Sequence, residues 1–258
     1  MMIQYYKYTL FLCLTLVLAG CTEHYKLTNS KSVNKEINNK LLTSDFSETI
    51  ISAYRIKLAS KMNEVINSSL IHMETGSPEG LLGNFVSDLT YLRAKEISAK
   101  HVDFCLLNNG GFRTPLPKGE ITRGKIFELM PFENEIVIVE ISGEKMLDLL
   151  DYIKAKSLMT TSRKTGVPIS GLRMKINKDK IVEVKIGSFA FDKSKNYRIA
   201  TSDYLSNGGD HMRFFLDPIS VENSGIKLRD AILTHIISLN NKNIELNAEL
   251  DGRIHHAE

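Results

Sequence analysis

Two kinds of apolar pattern alternate along this chain, and they restrict its fold more than any other feature of the sequence. In one kind, apolar residues recur every three or four positions, as Leu82, Phe85 and Leu89 do, and this spacing predicts the buried face of an α-helix. In the other kind, short β-branched runs such as Glu135–Ile141 (EIVIVEI) predict strands. Helices interspersed with strands and tight turns are typical of an α+β domain, so we predict a mixed β-sheet flanked by helices.

Local signals predict the individual elements. Ser77 at an N-cap position, followed by Pro78, predicts the start of a helix that ends near Lys100. Ser142 is predicted to cap a further helix that ends near Ala155. The other predicted helices cover residues 122–129 and 226–238. The other predicted strands are Val102–Leu107, Leu172–Ile176, Ile181–Ile186 and Tyr197–Tyr204.

The N-terminal residues carry a targeting pattern rather than a fold pattern. The apolar run Tyr8–Leu18 (YTLFLCLTLVL) is shorter than the roughly 20 apolar residues of a spanning helix and is typical of the core of a bacterial secretory signal. Leu18–Cys21 (LAGC) resembles a lipobox, so we expect a signal peptide over residues 1–20 and acyl chains on Cys21. The alternative is a signal that ends in small residues beside an incidental cysteine.

The chain is therefore expected to have three parts. Residues 21–45 are rich in Asn, Lys, Ser and Thr, which predicts a flexible tether, and residues 46–258 are predicted to form a single domain. A lipid anchor on Cys21 would attach that domain to a membrane of the bacterial cell envelope, on the periplasmic or the surface side.

Charge and cysteine content exclude two further classes. With 33 Lys and Arg against 30 Asp and Glu, the chain lacks the concentrated positive charge of nucleic-acid-binding proteins, so we expect no nucleic-acid partner. Three cysteines cannot build a disulfide framework. Cys105, inside an apolar run, is interpreted as an unreactive buried thiol; a nucleophilic role would need a histidine or a helix terminus nearby.

Three stretches interrupt the apolar patterns at the ends of predicted elements. They are Asn108–Arg113 (NNGGFR), Met130–Asn134 (MPFEN) and Ser206–Asp210 (SNGGD). Paired glycines allow positive φ angles and a close approach of the backbone to a ligand. Taken alone, each stretch is more often an ordinary turn or part of a core than a binding site.

Four side chains in or beside these stretches have the chemistry of a ligand site. Arg113 directly follows a glycine turn, where a guanidinium can pair with a phosphate or carboxylate. Asp210 can accept hydrogen bonds from sugar hydroxyls. Phe132 and Tyr204 offer flat faces on which a base can stack.

Longer segments around these stretches match one family pattern in order and spacing. The matching segments are LLGNFVSDL (Leu81–Leu89), VDFCLLNNGGFR (Val102–Arg113), GEITRGKIFELMPFENEIVIVEISGEKMLDLL (Gly119–Leu150) and YRIATSDYLSNGGD (Tyr197–Asp210). Over about Ser77 to Arg253, the chain resembles the C-terminal, substrate-recognition domain of the bacterial 5′-nucleotidase / UDP-sugar hydrolase family. The resemblance implies the fold of that domain and a nucleotide substrate, either a 5′-nucleotide or a UDP-sugar, in nucleotide catabolism.

The resemblance also implies roles for single residues in binding the base and the ribose. Phe132 and Asn134 of PFEN correspond to a base-stacking aromatic and a base-contacting amide. Tyr204 stands where the family usually has Phe, so it keeps a second aromatic face and adds a hydroxyl. Asp210 corresponds to an acid that holds the ribose hydroxyls, and Gly166 to a glycine that lines the base pocket.

For the phosphate, the resemblance assigns Arg113, which ends the NGGFR stretch. Some members of the family place further phosphate-binding arginines just before the LGN helix. Here that segment, His72–Gly76, reads HMETG and contains no arginine, so we expect a weaker hold on the phosphate.

The family's chemistry belongs to an N-terminal metallophosphatase domain, in which two metal ions activate water. Its Asp-x-His and Gly-Asn-His-Glu/Asp motifs do not occur in this sequence. The seven histidines are scattered apart from the terminal pair His255 and His256, and only His211 lies near the predicted site. We therefore expect no cofactor bound by this chain and divalent metal ions in a partner. Asn84 and Asp88, one helical turn apart, are interpreted as helix-packing and capping residues.

Three hypotheses about function follow. In the first, this chain is half of a split nucleotidase and presents nucleotide to a separately encoded metallophosphatase protein. In the second, it is a non-catalytic lipoprotein that binds nucleotides or nucleosides. In the third, it is a degenerate structural lipoprotein without a ligand, which the joint presence of Arg113, Phe132, Asn134 and Asp210 disfavours.

Overall fold

The computed structural model of the protein describes residues 27, 29–36, 45–159 and 165–257. The predicted signal peptide, Cys21 and much of the predicted tether lie outside these residues. The chain divides into two compact units, Met1–Glu48 and Thr49–Glu258. In the first unit, residues 27 and 29–36 form neither helix nor strand. Within the described ranges, no helix combines the length and the apolar character needed to cross a membrane.

Helices and strands make up most of residues 45–257. The α-helices are α1 (Asp45–Met62), α2 (Leu81–Ile97), α3 (Arg123–Leu129), α4 (Gly143–Leu158), α5 (Asp203–Ser206) and α6 (Leu228–Asn240). The strands are β1 (Val65–Ser69), β2 (Phe104–Leu106), β3 (Gly119–Thr122), β4 (Glu135–Ser142), β5 (Ile169–Ser170), β6 (Leu172–Asn177), β7 (Lys180–Ile186), β8 (Phe189–Ala190), β9 (Asn196–Ser202), β10 (Ser220–Lys227) and β11 (Ile254–Ala257).

In the described residues these strands form three sheets. The central sheet has five strands in the order β10-β4-β9-β2-β5; β2 and β9 run parallel, and the other neighbours run antiparallel. A four-stranded sheet has the order β11-β6-β7-β8, with β11 parallel to β6. The strands β1 and β3 form an antiparallel pair. The two larger sheets are therefore mixed.

The central sheet has an apolar core on each of its faces. Successive side chains of a strand point to opposite faces. Accordingly, Ile136 and Ile138 of β4 join a core with residues of α2 and α6, whereas Val137 and Val139 join a second core with residues of α4. Burial on both faces explains why residues 136–139 of this strand are all apolar. The predicted α+β fold, a mixed sheet flanked by helices, is confirmed.

The predicted N-cap at Ser77 is wrong, because the N-cap of α2 is Gly80, three residues later. The backbones of Gly76 and Gly80 turn tightly against each other: a Cβ atom on Gly80 would lie 2.1 Å from the nitrogen of Gly76. The amide of Leu82 then donates to the carbonyl oxygen of Glu74 at 3.1 Å, which satisfies an N–H group in the first turn of the helix. Ser142, in contrast, caps α4 as predicted, since its hydroxyl accepts from the amide of Lys145.

Two boundaries near the C-terminal half also differ from the prediction. The strand predicted to run to Tyr204 ends at Ser202, because the next four residues form α5. Ile226 and Lys227, predicted as the start of a helix, belong instead to β10. That strand lies at the edge of the central sheet, and its residues alternate between exposed and half-buried, so no apolar run marked it in the sequence.

Candidate functional site

A cavity of about 330 Å³ opens where three loops meet at one edge of the central sheet. Because β2 and β9 are parallel neighbours, the segments that follow them leave the sheet at the same edge. The strand β4 runs antiparallel to β9 with Ile136 opposite Ser202, so the loop before β4 also lies there. The carboxyl ends of parallel strands are a common place for ligand sites. The residues that line the cavity are Asn108, Gly110, Gly111, Arg113, Phe132, Asn134, Tyr204 and Asp210.

Five of the six predicted binding residues lie together in this lining: Arg113, Phe132, Asn134, Tyr204 and Asp210. Gly166, the sixth, is not part of it. A Cβ atom at Gly166 would lie 2.0 Å from the carbonyl oxygen of Gly76 and 3.0 Å from Nδ2 of Asn109. This glycine therefore allows two segments to pack closely beside Asn109, and its predicted place in the base pocket stays a prediction.

Asp210 is held by hydrogen bonds from three side chains. Nδ2 of Asn108 lies 2.5 Å from Oδ2 of Asp210, and the hydroxyl of Tyr204 lies 3.1 Å from Oδ1. The Tyr204 hydroxyl also accepts from the amide of Asp210, and the hydroxyl of Tyr152 donates to its carbonyl oxygen at 3.0 Å. Asp210 has a φ of 51°, a left-handed conformation that Asp tolerates better than most residues. The carboxylate is thus fixed in orientation, and each oxygen keeps a second lone pair for a ligand.

Tyr152 lies on α4, outside the lining, and is half-buried. Burial, together with the negative charge of Asp210, raises the pKa of Tyr152 to about 12. The hydroxyl therefore stays protonated and remains a hydrogen-bond donor to the backbone of Asp210.

Arg113 and Phe132 lie next to each other on another wall of the cavity. The guanidinium carbon of Arg113 is 5.8 Å from the centre of the Phe132 ring, within the range of a cation–π contact. Backbone bonds position the arginine, since its amide donates to the carbonyl oxygen of Leu129 at 2.9 Å. Phe132 is 41% exposed and Tyr204 is 47% exposed, so both aromatic residues remain accessible to a ligand.

Taken together, the lining offers four kinds of contact. Two exposed aromatic rings can stack on a flat ring system, and the amide of Asn134 can hydrogen-bond to its edge. The Asp210 carboxylate can accept from hydroxyl groups, and Arg113 can pair with an anionic group. A ligand that combines a flat heterocycle, a sugar and an anion matches this set of contacts.

The comparison with known sequences agrees with this geometry. Residues 61–217, more than half of the chain, match the family model described as 5′-nucleotidase, C-terminal domain. The chain belongs to this family. A trifunctional nucleotide phosphoesterase protein of Bacillus subtilis is 27% identical over 185 residues, and a 5′-nucleotidase of Vibrio parahaemolyticus is 30% identical over 129 residues.

These relatives are much longer than the matched region. The matches cover 67% and 50% of this chain, but 12% and 21% of the Bacillus and Vibrio proteins, respectively. The solved structure of a 5′-nucleotidase precursor from Thermus thermophilus has the same fold, with a TM-score of 0.69 at 23% identity over 83% of this chain and 43% of that one. The chain therefore corresponds to one domain of larger nucleotidases.

Two further residues shape the site of this 5′-nucleotidase C-terminal domain, although their local sequence carries little signal. Asn108 is the first residue of the NNGGFR stretch, and its signal in the sequence is an amide two positions before a glycine pair. Tyr152 lies in an ordinary helical pattern, where nothing local sets it apart. Both act on Asp210, which is far from them in sequence.

The other candidate residues have structural partners outside the cavity. Asn84 donates to the carbonyl oxygen of Glu249 at 2.8 Å, and Asp88 pairs with Arg253 at 2.7 Å, which fits their interpretation as packing residues. Cys105 is fully buried, and burial raises the pKa of its thiol well above the ordinary value. Among the described residues, no group of three or more His, Cys, Asp or Glu side chains is placed to hold a metal ion.

Proposed function

We propose that this domain binds a 5′-nucleotide or a UDP-sugar in the cavity and presents the phosphate to a metallophosphatase in a separate protein, for phosphate-ester hydrolysis in nucleotide catabolism. One observation carries the proposal: Arg113, Phe132, Asn134, Tyr204 and Asp210 surround a single cavity in a chain of the 5′-nucleotidase C-terminal domain family. A volume of about 330 Å³ lies at the lower end of the roughly 300–1,000 Å³ of small-molecule sites.

Each part of a nucleotide has a matching group in this arrangement. The base would stack on Phe132 and Tyr204, a contact worth about 1–3 kcal/mol per base, and its edge would reach the amide of Asn134. The ribose hydroxyls would donate to the Asp210 carboxylate. The phosphate would pair with Arg113, whose guanidinium is exposed at the cavity.

The hydrolytic step would belong to the partner. A pair of divalent metal ions there would activate the water that attacks phosphorus. This chain would contribute orientation: with the base and ribose held at Phe132 and Asp210, the phosphate lies beside Arg113 at a fixed place relative to the partner.

Titration calorimetry with AMP, UDP-glucose and adenosine tests the binding half of the proposal. Saturable binding of AMP that is lost in Phe132→Ala supports it, and binding that is unchanged in both Phe132→Ala and Arg113→Ala contradicts it. Release of phosphate from AMP, with a divalent metal present, tests the catalytic half. A mixture of this protein with a candidate metallophosphatase should be faster than the metallophosphatase alone; equal rates would contradict a shared active site.

A non-catalytic nucleotide-binding protein is the alternative function. The Asp210 carboxylate is fixed without any partner, by Asn108 and Tyr204, and this favours a cavity that binds on its own. The alternative predicts tight adenosine binding that Arg113→Ala does not weaken, together with no gain in phosphate release in any mixture.

We also propose that the mature protein is anchored to a membrane of the bacterial cell envelope through acyl chains on Cys21. The LAGC tetrapeptide after an apolar run of signal-peptide length supports this. Several acyl chains give stable attachment, whereas one chain gives only marginal binding.

A further inference from the structure

The loop Met130–Asn134, called the 130–134 loop below, carries Phe132 and Asn134, and we propose that Arg229 is its positioning residue. This inference rests on the proposed function, because it concerns how the base-binding side chains are held in place. Arg229 is the second residue of α6 and does not line the cavity. Its side chain is only 8% exposed, so the charge is buried beneath the loop.

One side chain contacts four consecutive residues of the loop. Nη1 of Arg229 lies 3.4 Å from the carbonyl oxygen of Met130, 3.3 Å from that of Pro131 and 3.3 Å from that of Phe132. Nη2 pairs with the carboxylate of Glu133. A planar guanidinium presents several donors in a fixed geometry, and a lysine ammonium lacks this arrangement.

The same region of α6 also holds both ends of the loop. The guanidinium carbon of Arg229 lies 4.5 Å from the centre of the Phe127 ring, on the helix α3 that leads into the loop. At the other end, the amide of Leu228 donates to the carbonyl oxygen of Asn134 at 2.8 Å. The first turn of α6 therefore fixes the loop at its entry, along its length and at its exit.

The other contacts of the loop include the burial of Met130 in the core, the pairing of Lys227 with Glu133 and the Arg113 guanidinium beside the Phe132 ring. Pro131, Phe132 and Glu133 are exposed, so apolar burial contributes little to the conformation of these residues. Hydrogen bonds from Arg229, and then from Lys227, lower the pKa of Glu133 to about 2. The ion pairs therefore favour the ionised carboxylate, which is the partner of the buried arginine.

A fixed loop has a consequence for ligand binding. If Phe132 and Asn134 are held in place before the ligand arrives, binding does not bear the entropy cost of ordering them. Arg229 would then act on nucleotide affinity through the loop, without touching the nucleotide.

The chain contains no Trp, so the fluorescence of a single introduced tryptophan can report on the 130–134 loop. In a Phe132→Trp background, the introduced indole is the sole tryptophan and sits in the loop itself. We expect Arg229→Lys to raise the acrylamide quenching constant of this indole by about twofold, since the loop opens locally more often. An unchanged quenching constant would overturn the proposal.

Arg253→Lys is the matched control. Arg253 is also buried, with a side chain 9% exposed, and it pairs with Asp88 and Asp251 away from the loop. We expect this variant to leave the quenching constant as it is. If Arg253→Lys raises it as much as Arg229→Lys does, general destabilisation explains the effect and the positioning role is wrong.

Glu133→Gln is a milder second variant, because Glu133 lies at the surface and its loss leaves the three carbonyl contacts of Arg229 in place. It should raise the quenching constant by a smaller amount. If Arg229→Lys does not fold, Glu133→Gln decides: a rise supports the proposal, and no change overturns it.

Calorimetry in the native Phe132 background separates this inference from the proposed function. If the wild-type protein binds AMP, Arg229→Lys should lower the affinity by about tenfold, as expected when a preorganised loop becomes mobile, and Arg253→Lys should not. Equal AMP affinity in wild type and Arg229→Lys would overturn the inference while the proposed function stands. If wild type does not bind AMP, the proposed function fails, and the quenching experiment alone tests the role of Arg229.

Discussion

Nδ2 of Asn108 lies 2.5 Å from Oδ2 of Asp210, although 102 residues separate the two in sequence. This hydrogen bond joins the glycine-rich turn after β2 to the segment after β9 and thereby closes one side of the cavity. The hydrogen bond also orients the carboxylate of Asp210. Together with the bond from the Tyr204 hydroxyl, it holds that carboxylate in one orientation.

Loss of this bond should weaken the binding of any ligand that uses Asp210. We expect Asn108→Ala to reduce AMP affinity by about 1 kcal/mol, roughly fivefold in Kd, the typical net contribution of one hydrogen bond. The same substitution should have little effect on binding of 2′,3′-dideoxy-AMP, which lacks the ribose hydroxyls that Asp210 would accept. Calorimetry with the two ligands measures the difference, and equal losses for both would contradict a role through Asp210.

Tyr204 allows its ring and its hydroxyl to be tested separately. Tyr204→Phe keeps the flat face and removes the hydrogen bonds with Asp210, so we expect a loss of about 0.5–1.5 kcal/mol in AMP affinity. Tyr204→Ala also removes the stacking surface and should weaken AMP binding by a further amount of about 1–3 kcal/mol. If the two variants bind AMP equally, the ring does not stack on the base.

Arg113 should contribute only where a phosphate is present. Arg113→Ala is expected to weaken AMP binding by about 1.5–3 kcal/mol, the usual range for hydrogen bonds to a charged group, and to leave adenosine binding unchanged. Arg173→Ala is the control, because Arg173 is an exposed arginine that pairs with Asp251 outside the cavity. Equal effects on AMP and adenosine would contradict the assignment of Arg113 to the phosphate.

The stability of the domain should depend on pH through Glu133. Hydrogen bonds from Arg229 and Lys227 lower the pKa of Glu133 from 4.5 to about 2, so the folded state favours the ionised carboxylate. This contribution is complete above the pKa of the unfolded state and is lost as the pH falls from about 4.5 towards 2. Urea titrations measure the free energy of unfolding. Between about pH 5 and pH 3, this free energy should fall less in Glu133→Gln than in wild type. Identical pH dependence in the two proteins would contradict the ion pair.

Acylation of Cys21 can be tested in bacterial cells. We expect wild type, but not Cys21→Ser, to incorporate labelled palmitate and to fractionate with membranes, because the lipobox cysteine carries the acyl chains. Cys13→Ser is the matched control, since Cys13 lies within the predicted signal peptide and should not affect labelling. Labelling that persists in Cys21→Ser would show that this cysteine is not the acylation site.

Much of the local structure could be predicted from short stretches of sequence. The cap at Ser142 and the strands β4, β6 and β7 follow from residue types and spacing that act within a few positions. The start of α2 could not be predicted in this way. It depends on the close packing of Gly76 against Gly80 and on the bond from Leu82 to Glu74, which the Ser77–Pro78 signal does not reveal.

The residue types alone establish which chemical groups are available: an arginine after a glycine turn, two aromatic rings, an amide and a carboxylate, on segments at the ends of elements. Which of these groups meet depends on the pairing of the strands. The parallel pairing of β2 with β9 and the antiparallel pairing of β4 with β9 bring Arg113, Phe132 and Asp210 to one edge. Strand order and register depend on contacts between distant segments, and so do the bonds from Asn108 to Asp210 and from Arg229 to the 130–134 loop. No local pattern encodes such contacts.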